Sequence, residues 1–234
     1  MSDEGRILLV VDRDGTLLDF TEAFLAFITH LHRAESVELP SQEEILSLDY
    51  WRRIEHNELL IGSVNVRSRI DEVVTRHVPA SGKLYPGVAD ALRELARRGI
   101  KIALVSGWIG TTQTIGLLER LDIIDAVEII RTRDDLPPDA AAVTDLDAKI
   151  YLAQEALAAL GRRPNDVVLV VGDTPADIET GHALGAYTIA VATGNGRRLA
   201  TEIERLRPHR CLPSFADLPT YINEIRQMAG ASTE

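Results

Sequence analysis

The chain has 234 residues, 45% of them hydrophobic, with a formal net charge of −11 and a single cysteine. That length holds one large domain or a domain carrying a substantial insertion, and the acidic balance excludes broad binding to nucleic acid or to an anionic membrane, both of which need a basic footprint. One cysteine excludes an intrachain disulfide; with the acidic MSDEG start and no apolar run near the ~20 residues of a membrane span, it points to a cytoplasmic protein.

The first apolar run, ILLVV at 7–11, is continuous rather than alternating, as a parallel strand covered on both faces requires. It ends in Asp12, Arg13, Asp14, Gly15 and Thr16. Residues two apart at a strand end point the same way, so two carboxylates stand together, and such like charges repel unless a cation or a proton intervenes. The string is not a calcium loop, because the loop glycine and the closing glutamate are missing at their required offsets.

From Phe20 to Val78 the pattern changes to helical periodicity with many charges and no strand signal. Ser41 and Glu44 have the spacing of a capping box just after Pro40, which predicts a helix through Trp51 towards Leu60. A second helical stretch is predicted over 64–77. Residues 19–82 therefore read as a helical insertion, leaving 1–18 and 83–234 as the core.

Beyond the insertion, strand and helix alternate. Val88, Leu92 and Leu95 share one face of a helix that Gly99 is placed to stop. The runs at 100–105, 126–130, 167–171 and 187–192 read as buried strands, and Ile150, Ala153, Leu157 and Leu160 line one face of a helix over 149–161. The alternation predicts an open α/β sheet.

In such sheets ligands bind beyond the carboxyl ends of the strands, so the residues following each strand carry the functional reading. Ser106 and Gly107 follow the second run, and GDTPAD, with Asp173 and Asp177, follows VVLVV. Thr174 and Pro175 have the N-cap and N1 signature, which makes Asp177 the third helical residue. Hard oxygen ligands of this kind suit Mg²⁺ completed by a substrate phosphate. Ser106 either caps the helix starting at Thr111 or, with the following amides, holds a phosphate oxygen. With Asp147 as N-cap, Lys149 falls in a first helical turn, where the macrodipole disfavours a cation; a phosphate to neutralise explains that cost. GNGRRL at 194–199 lacks the third glycine and the first-strand location of a dinucleotide fingerprint, and no Walker A sequence is present.

Together, VVDRDGTL, ALVSG, Lys149 and VGDTPADIETGHALGA, in that order, resemble the haloacid dehalogenase superfamily of aspartyl-nucleophile phosphohydrolases. The phrase YPGVADALRELARRGIKIALVSG at 85–107 extends the likeness across nearly the whole chain. The resemblance implies a Rossmann-like parallel sheet with helices on both faces and an α-helical cap, residues 19–82, inserted after the first motif. It implies Asp12 as the nucleophile and Asp14 as the general acid and then base. Ser106, Gly107 and Lys149 would bind phosphate, and Mg²⁺ would be held by Asp12, the Asp14 backbone carbonyl, Asp173 and Asp177. Arg13 stands where many relatives carry an apolar residue and is expected near the mouth, touching substrate or cap. Arg52, Arg53, His56, Arg67 and Arg69 are the insertion's candidates for substrate specificity, with Arg52 and His56 on one helical face.

The activity so implied is Mg²⁺-dependent hydrolysis of a small phosphorylated metabolite of the phosphoglycolate or sugar-phosphate type. A dehalogenase is disfavoured, because displacing a halide needs no acid at Asp14. A phosphonate hydrolase would need a Schiff-base lysine in the cap, and residues 19–82 contain no lysine. A sugar phosphomutase of the same superfamily and a non-catalytic phospho-ligand-binding module are the alternatives.

Overall fold

The short aliphatic runs pair as parallel strands. In the computed structural model, which describes residues 5–138 and 144–231, the strands are β1 (Ile7–Asp12), β2 (Lys101–Val105), β3 (Ile129–Arg131), β4 (Val167–Gly172), β5 (Tyr187–Val191) and β6 (Arg210–Leu212). Among the described residues they form one sheet of order β6-β5-β4-β1-β2-β3, with every neighbouring pair parallel. The strand order reverses around β1, which makes its carboxyl end the switch point where ligands bind in sheets of this kind.

Both faces of the sheet are covered, which is why the runs show no polar alternation. Ile7, Leu9 and Val11 of β1 face a core built with Val88, Leu92 and Leu95 of α1 (Val88–Arg97) and Leu218, Ile222 and Ile225 of α5 (Leu218–Ala231). Leu8 and Val10 face the opposite core, against Leu152, Ala156 and Leu157 of α3 (Asp145–Ala159). Each such valine, leucine or isoleucine side chain contributes roughly 1.5–3 kcal/mol on full burial. The other helices that bear on the site are α2 (Thr111–Arg120) and α4 (Pro175–Ala183).

Two strand expectations change. The run at 126–130 is a strand only from Ile129; Ile124–Ala126 is a 3-10 turn. Ala126 and Val127 are apolar because they pack into the core beside the sheet edge. The edge strand β6 carried no apolar run long enough to announce it.

The chain divides into two compact units, one made of the residues up to Asp19 and from Leu84 onward, the other of Phe20–Lys83. The second unit is helical but more broken than expected. Ser41 accepts from the Glu44 amide and starts a helix as predicted, yet that helix ends at Ile45. Ser47 then caps a separate helix, Leu48–Glu55, by accepting from the Tyr50 amide. Two capping serines six residues apart give two short helices in place of one long one. The stretch expected to be helical over 64–77 holds one strand of a small hairpin, Leu60–Ile61 with Val64–Asn65. A 3-10 turn at Arg67–Arg69 and a π-helical turn at Val73–His77 follow. Pro79, just beyond, has no amide proton to donate and crowds the carbonyl one turn back, which the wider π-turn accommodates. Phe24, Phe27, Ile28 and Leu31 of the helix Thr21–Ala34 form this unit's buried face, with the Trp51 ring 5.4 Å from that of Phe24. No helix among the described residues is long and apolar enough to cross a membrane.

Candidate active site

The site is built from what leaves the carboxyl ends of β1, β2, β4 and β5. β1 delivers Asp12, 5% exposed. The chain then curls: Gly15 takes a left-handed φ of 86°, and the Leu17 and Leu18 amides both donate to the Arg13 carbonyl at 3.1 and 2.8 Å. Glycine is required here, because a Cβ at position 15 would lie 2.2 Å from Oδ2 of Asp173. The tight turn thus lets the β1 and β4 loops touch.

β4 delivers Asp173, fully buried, and the start of α4 delivers Asp177, 2% exposed. Asp177 does two things with its two oxygens. Oδ2 accepts from the Thr174 amide at 3.0 Å and the Thr174 hydroxyl at 2.6 Å, closing the helix start. Oδ1 lies 2.5 Å from Nζ of Lys149. That ammonium also donates to Oδ1 of Asp12 at 2.6 Å. One oxygen from each of Asp12, Asp173 and Asp177 lies within 4.8 Å of the others.

Three buried carboxylates around one ammonium leave an excess of negative charge. Burial pushes the Asp12 carboxyl well above its ordinary range; Lys149 opposes the rise and the neighbouring aspartates add to it. Asp173 is pushed up to about 7, first by burial and then by Asp177, against the pull of the Asn195 amide. For Lys149, burial alone favours the neutral amine, but the Asp12 and Asp177 carboxylates outweigh it and hold the charge. A set of all-oxygen donors with surplus charge fits a hard divalent cation.

Lys149 is placed by a different route than the sequence reading supposed. The N-cap of α3 is Thr144, which accepts from the Asp147 amide, so Lys149 stands in the second turn and not the first. Its buried ammonium is explained by the two carboxylates rather than by a helix terminus.

Asp14 occupies other surroundings. Its Oδ2 accepts from the Ser106 hydroxyl at 2.8 Å, while that hydroxyl oxygen accepts from the Trp108 amide at 3.1 Å. Ser106 is therefore not a helix cap; α2 begins later, after Gly110. Gly107 lies in the same loop after β2. The Asp14 carboxylate is also paired with Arg13, 2.8 Å away. Arg13 is 2% exposed, so it is not the cation at a mouth that the sequence suggested: its guanidinium is turned to Asp14 inside the first unit. The remaining candidates lie on the second unit. Arg52 pairs with Asp49 at 2.7 Å, the His56 ring nitrogen lies 2.8 Å from the Arg52 carbonyl, and both side chains are exposed, as is Arg67. Arg69 pairs with Glu72 at 2.6 Å.

The loop after β5 was missed. The Asn195 amide and side-chain nitrogen both donate to Oδ2 of Asp173, at 2.6 and 3.1 Å, and the Thr16 hydroxyl donates to Oδ1 at 3.1 Å. Gly194 is packed so closely that a Cβ would lie 2.4 Å from both Asp173 Oδ2 and Gly15 Cα. The signal lies in the position of Gly194 and Asn195 at a strand's carboxyl end, not in the glycine spacing of GNGRRL.

The model of the haloacid dehalogenase-like hydrolase family matches residues 8–185. The chain belongs to that family. Among curated proteins it is 30% identical over 171 residues to a phosphoglycolate phosphatase of Yersinia pseudotuberculosis, covering 72% of this chain and 67% of that one. It is 26% identical over 225 residues to the pyrophosphatase PpaX of Bacillus cereus, covering 90% and 93%. A solved haloacid dehalogenase-like hydrolase from Streptococcus pneumoniae superposes with a TM-score of 0.68 at 17% identity, covering 93% of this chain and 98% of that one, and so shares its fold. The chain is a haloacid dehalogenase-like phosphatase.

Proposed function

We propose that this phosphatase is a Mg²⁺-dependent phosphomonoester hydrolase that acts on a small organic phosphate through an aspartyl-phosphate intermediate. The observation that carries the reading is the contrasting company of two aspartates two residues apart. Asp12 sits in the charged cluster with Lys149, Asp173 and Asp177, whereas Asp14 is held apart by Ser106 and Arg13. Such a division suits a nucleophile beside a separate proton carrier.

In this reading an Asp12 carboxylate oxygen attacks phosphorus while the bond from phosphorus to the leaving oxygen breaks, and Asp14 gives its proton to the departing alkoxide. Asp14, now ionised, takes a proton from the water that attacks the acyl phosphate. The bond between phosphorus and Asp12 breaks, and inorganic phosphate leaves. Lys149 and the Gly107 amide hold the phosphoryl oxygens as charge redistributes, while the Ser106 hydroxyl stays on Asp14. Asp12, Asp173 and Asp177 would hold a divalent cation, which would supply positive charge to the phosphoryl group when bound. Substrate choice falls to the Phe20–Lys83 unit, read as a cap, with Arg52, His56 and Arg67 as its exposed candidates.

The test is released inorganic phosphate, measured with Mg²⁺ across phosphoglycolate, sugar phosphates and pyrophosphate, for the wild type and Asp12→Asn. We expect turnover of at least one monoester and its loss by a factor of at least ~10³ in the variant. Interconversion of sugar phosphates with no net phosphate would make the protein a mutase, and unchanged turnover in Asp12→Asn would remove the covalent route.

A further inference from the structure

Arg13 is among the largest fully buried side chains of the chain. An unpaired buried charge costs several kcal/mol, so the partners of a buried guanidinium indicate what it is for. On one side, Nε lies 3.0 and 2.9 Å from Oδ1 and Oδ2 of Asp14, and one terminal nitrogen lies 2.8 Å from Oδ2. On the other side, the second terminal nitrogen donates to the Ile109 carbonyl at 3.1 Å and to the Thr114 hydroxyl at 2.7 Å. Thr114 donates in turn to the Gly110 carbonyl at 2.7 Å. The first turn of α2 is itself anchored, since the Gly110 and Thr111 amides donate to Oδ2 of Asp134 at 2.8 and 2.9 Å.

We propose that Arg13 is a positioning residue for Asp14: it fixes the carboxyl group against the first turn of α2, so that the proton carrier stands at the leaving oxygen without reorganisation. The role rests on Asp14 being the acid and base of the reaction proposed above. Arg13 reaches no substrate atom in this scheme. Its fork spans Asp14 and the turn of α2 together, a geometry a point-charge ammonium cannot reproduce. Ser106 supplies the second grip on the same carboxyl group, so removing Arg13 loosens Asp14 without releasing it.

The consequence is specific to leaving groups. An alkoxide needs its proton as the bond to phosphorus breaks, while p-nitrophenolate departs without one. We therefore expect Arg13→Met to lower kcat/KM about 10- to 100-fold for an alkyl phosphate such as glycerol 2-phosphate, but less than about threefold for p-nitrophenyl phosphate. The ratio kcat/KM is the informative quantity, because it stops at the first irreversible phosphoryl transfer and is blind to the later use of Asp14 as base. Arg13→Lys should recover part of the alkyl-ester loss. Thr114→Val, which removes one contact of the fork at nearly constant shape, should show the same split at smaller size and serves as the test if Arg13→Met does not fold. Equal losses on both esters, or no loss on either, would overturn the positioning role while leaving the phosphatase reading intact. A wild type that releases phosphate from neither these esters nor the metabolite panel would overturn that reading, and the role of Arg13 with it.

Discussion

Lys149 is one ammonium facing two carboxylates, at 2.6 Å from Asp12 and 2.5 Å from Asp177. Removing one partner from a buried charge network is far costlier than never having built it. Lys149→Met should therefore lower kcat/KM by about 10²–10³ and destabilise the metal-free protein by roughly 3–5 kcal/mol. Added Mg²⁺ should raise the melting temperature of this variant more than that of the wild type, which thermal melts with and without the ion would test. A variant that melts like the wild type would mean that Lys149 does not balance the cluster. At this scale the sequence was informative about identity and less so about cause. Asp12, Asp14, Asp173 and Asp177 stand where their strand-end and helix-start positions put them, and Lys149 joins Asp12 and Asp177 from the second turn of its helix and not the first. The surroundings of Asn195 and Arg13 were not legible for one shared reason: their contacts run to residues far away in sequence, Asp173 for one and Thr114 for the other.

Among elements, the strands were legible because burial on both faces writes itself as an uninterrupted aliphatic run. Helix ends depend on single capping residues, so Ser47 and Thr144 moved boundaries that periodicity alone could not fix. The short loop after β5 is the least advertised element and one of the most constrained. It brings Gly194, at a φ of 54°, onto Gly15. Adding a methyl group in Gly194→Ala must push this loop away from Asp173, since the nearest backbone atom it meets cannot rotate aside. We expect a stability loss of about 1–3 kcal/mol and an affinity for Mg²⁺ weakened about tenfold, read by isothermal titration of the metal-free protein. Unchanged affinity would show that the loop does not orient the carboxylate.

For the whole molecule, the buried acids make metal-free stability depend on pH. Asp173 has a pKa of about 7 in the folded chain against 3.8 ordinarily, and Asp12 shifts in the same direction. Between those values the folded state holds more protons than the unfolded one, so stability falls as pH rises, and the full penalty is present above about 7. His77 and His209, whose pKa values burial lowers, act in the opposite sense on the acid side and are already neutral above their ordinary 6.5. Raising the pH of metal-free protein from 6 to 8 should lower the melting temperature by about 2–5 °C. Millimolar Mg²⁺ should abolish or reverse that fall, because a cation stabilises the ionised cluster. A flat or rising metal-free profile would mean that the carboxylates carry no such strain.

The central place of β1 also has a consequence for synthesis. Val10 pairs with Ala103 on one side and with Val170 on the other, and both partners are translated long after it. A nascent chain therefore carries Asp12 on an unpaired apolar strand until β2 and then β4 emerge, and such non-local pairing is slow and prone to aggregation. Chemistry becomes possible only when the last of these segments closes around the first, so a growing chain stays catalytically silent until most of it has been made.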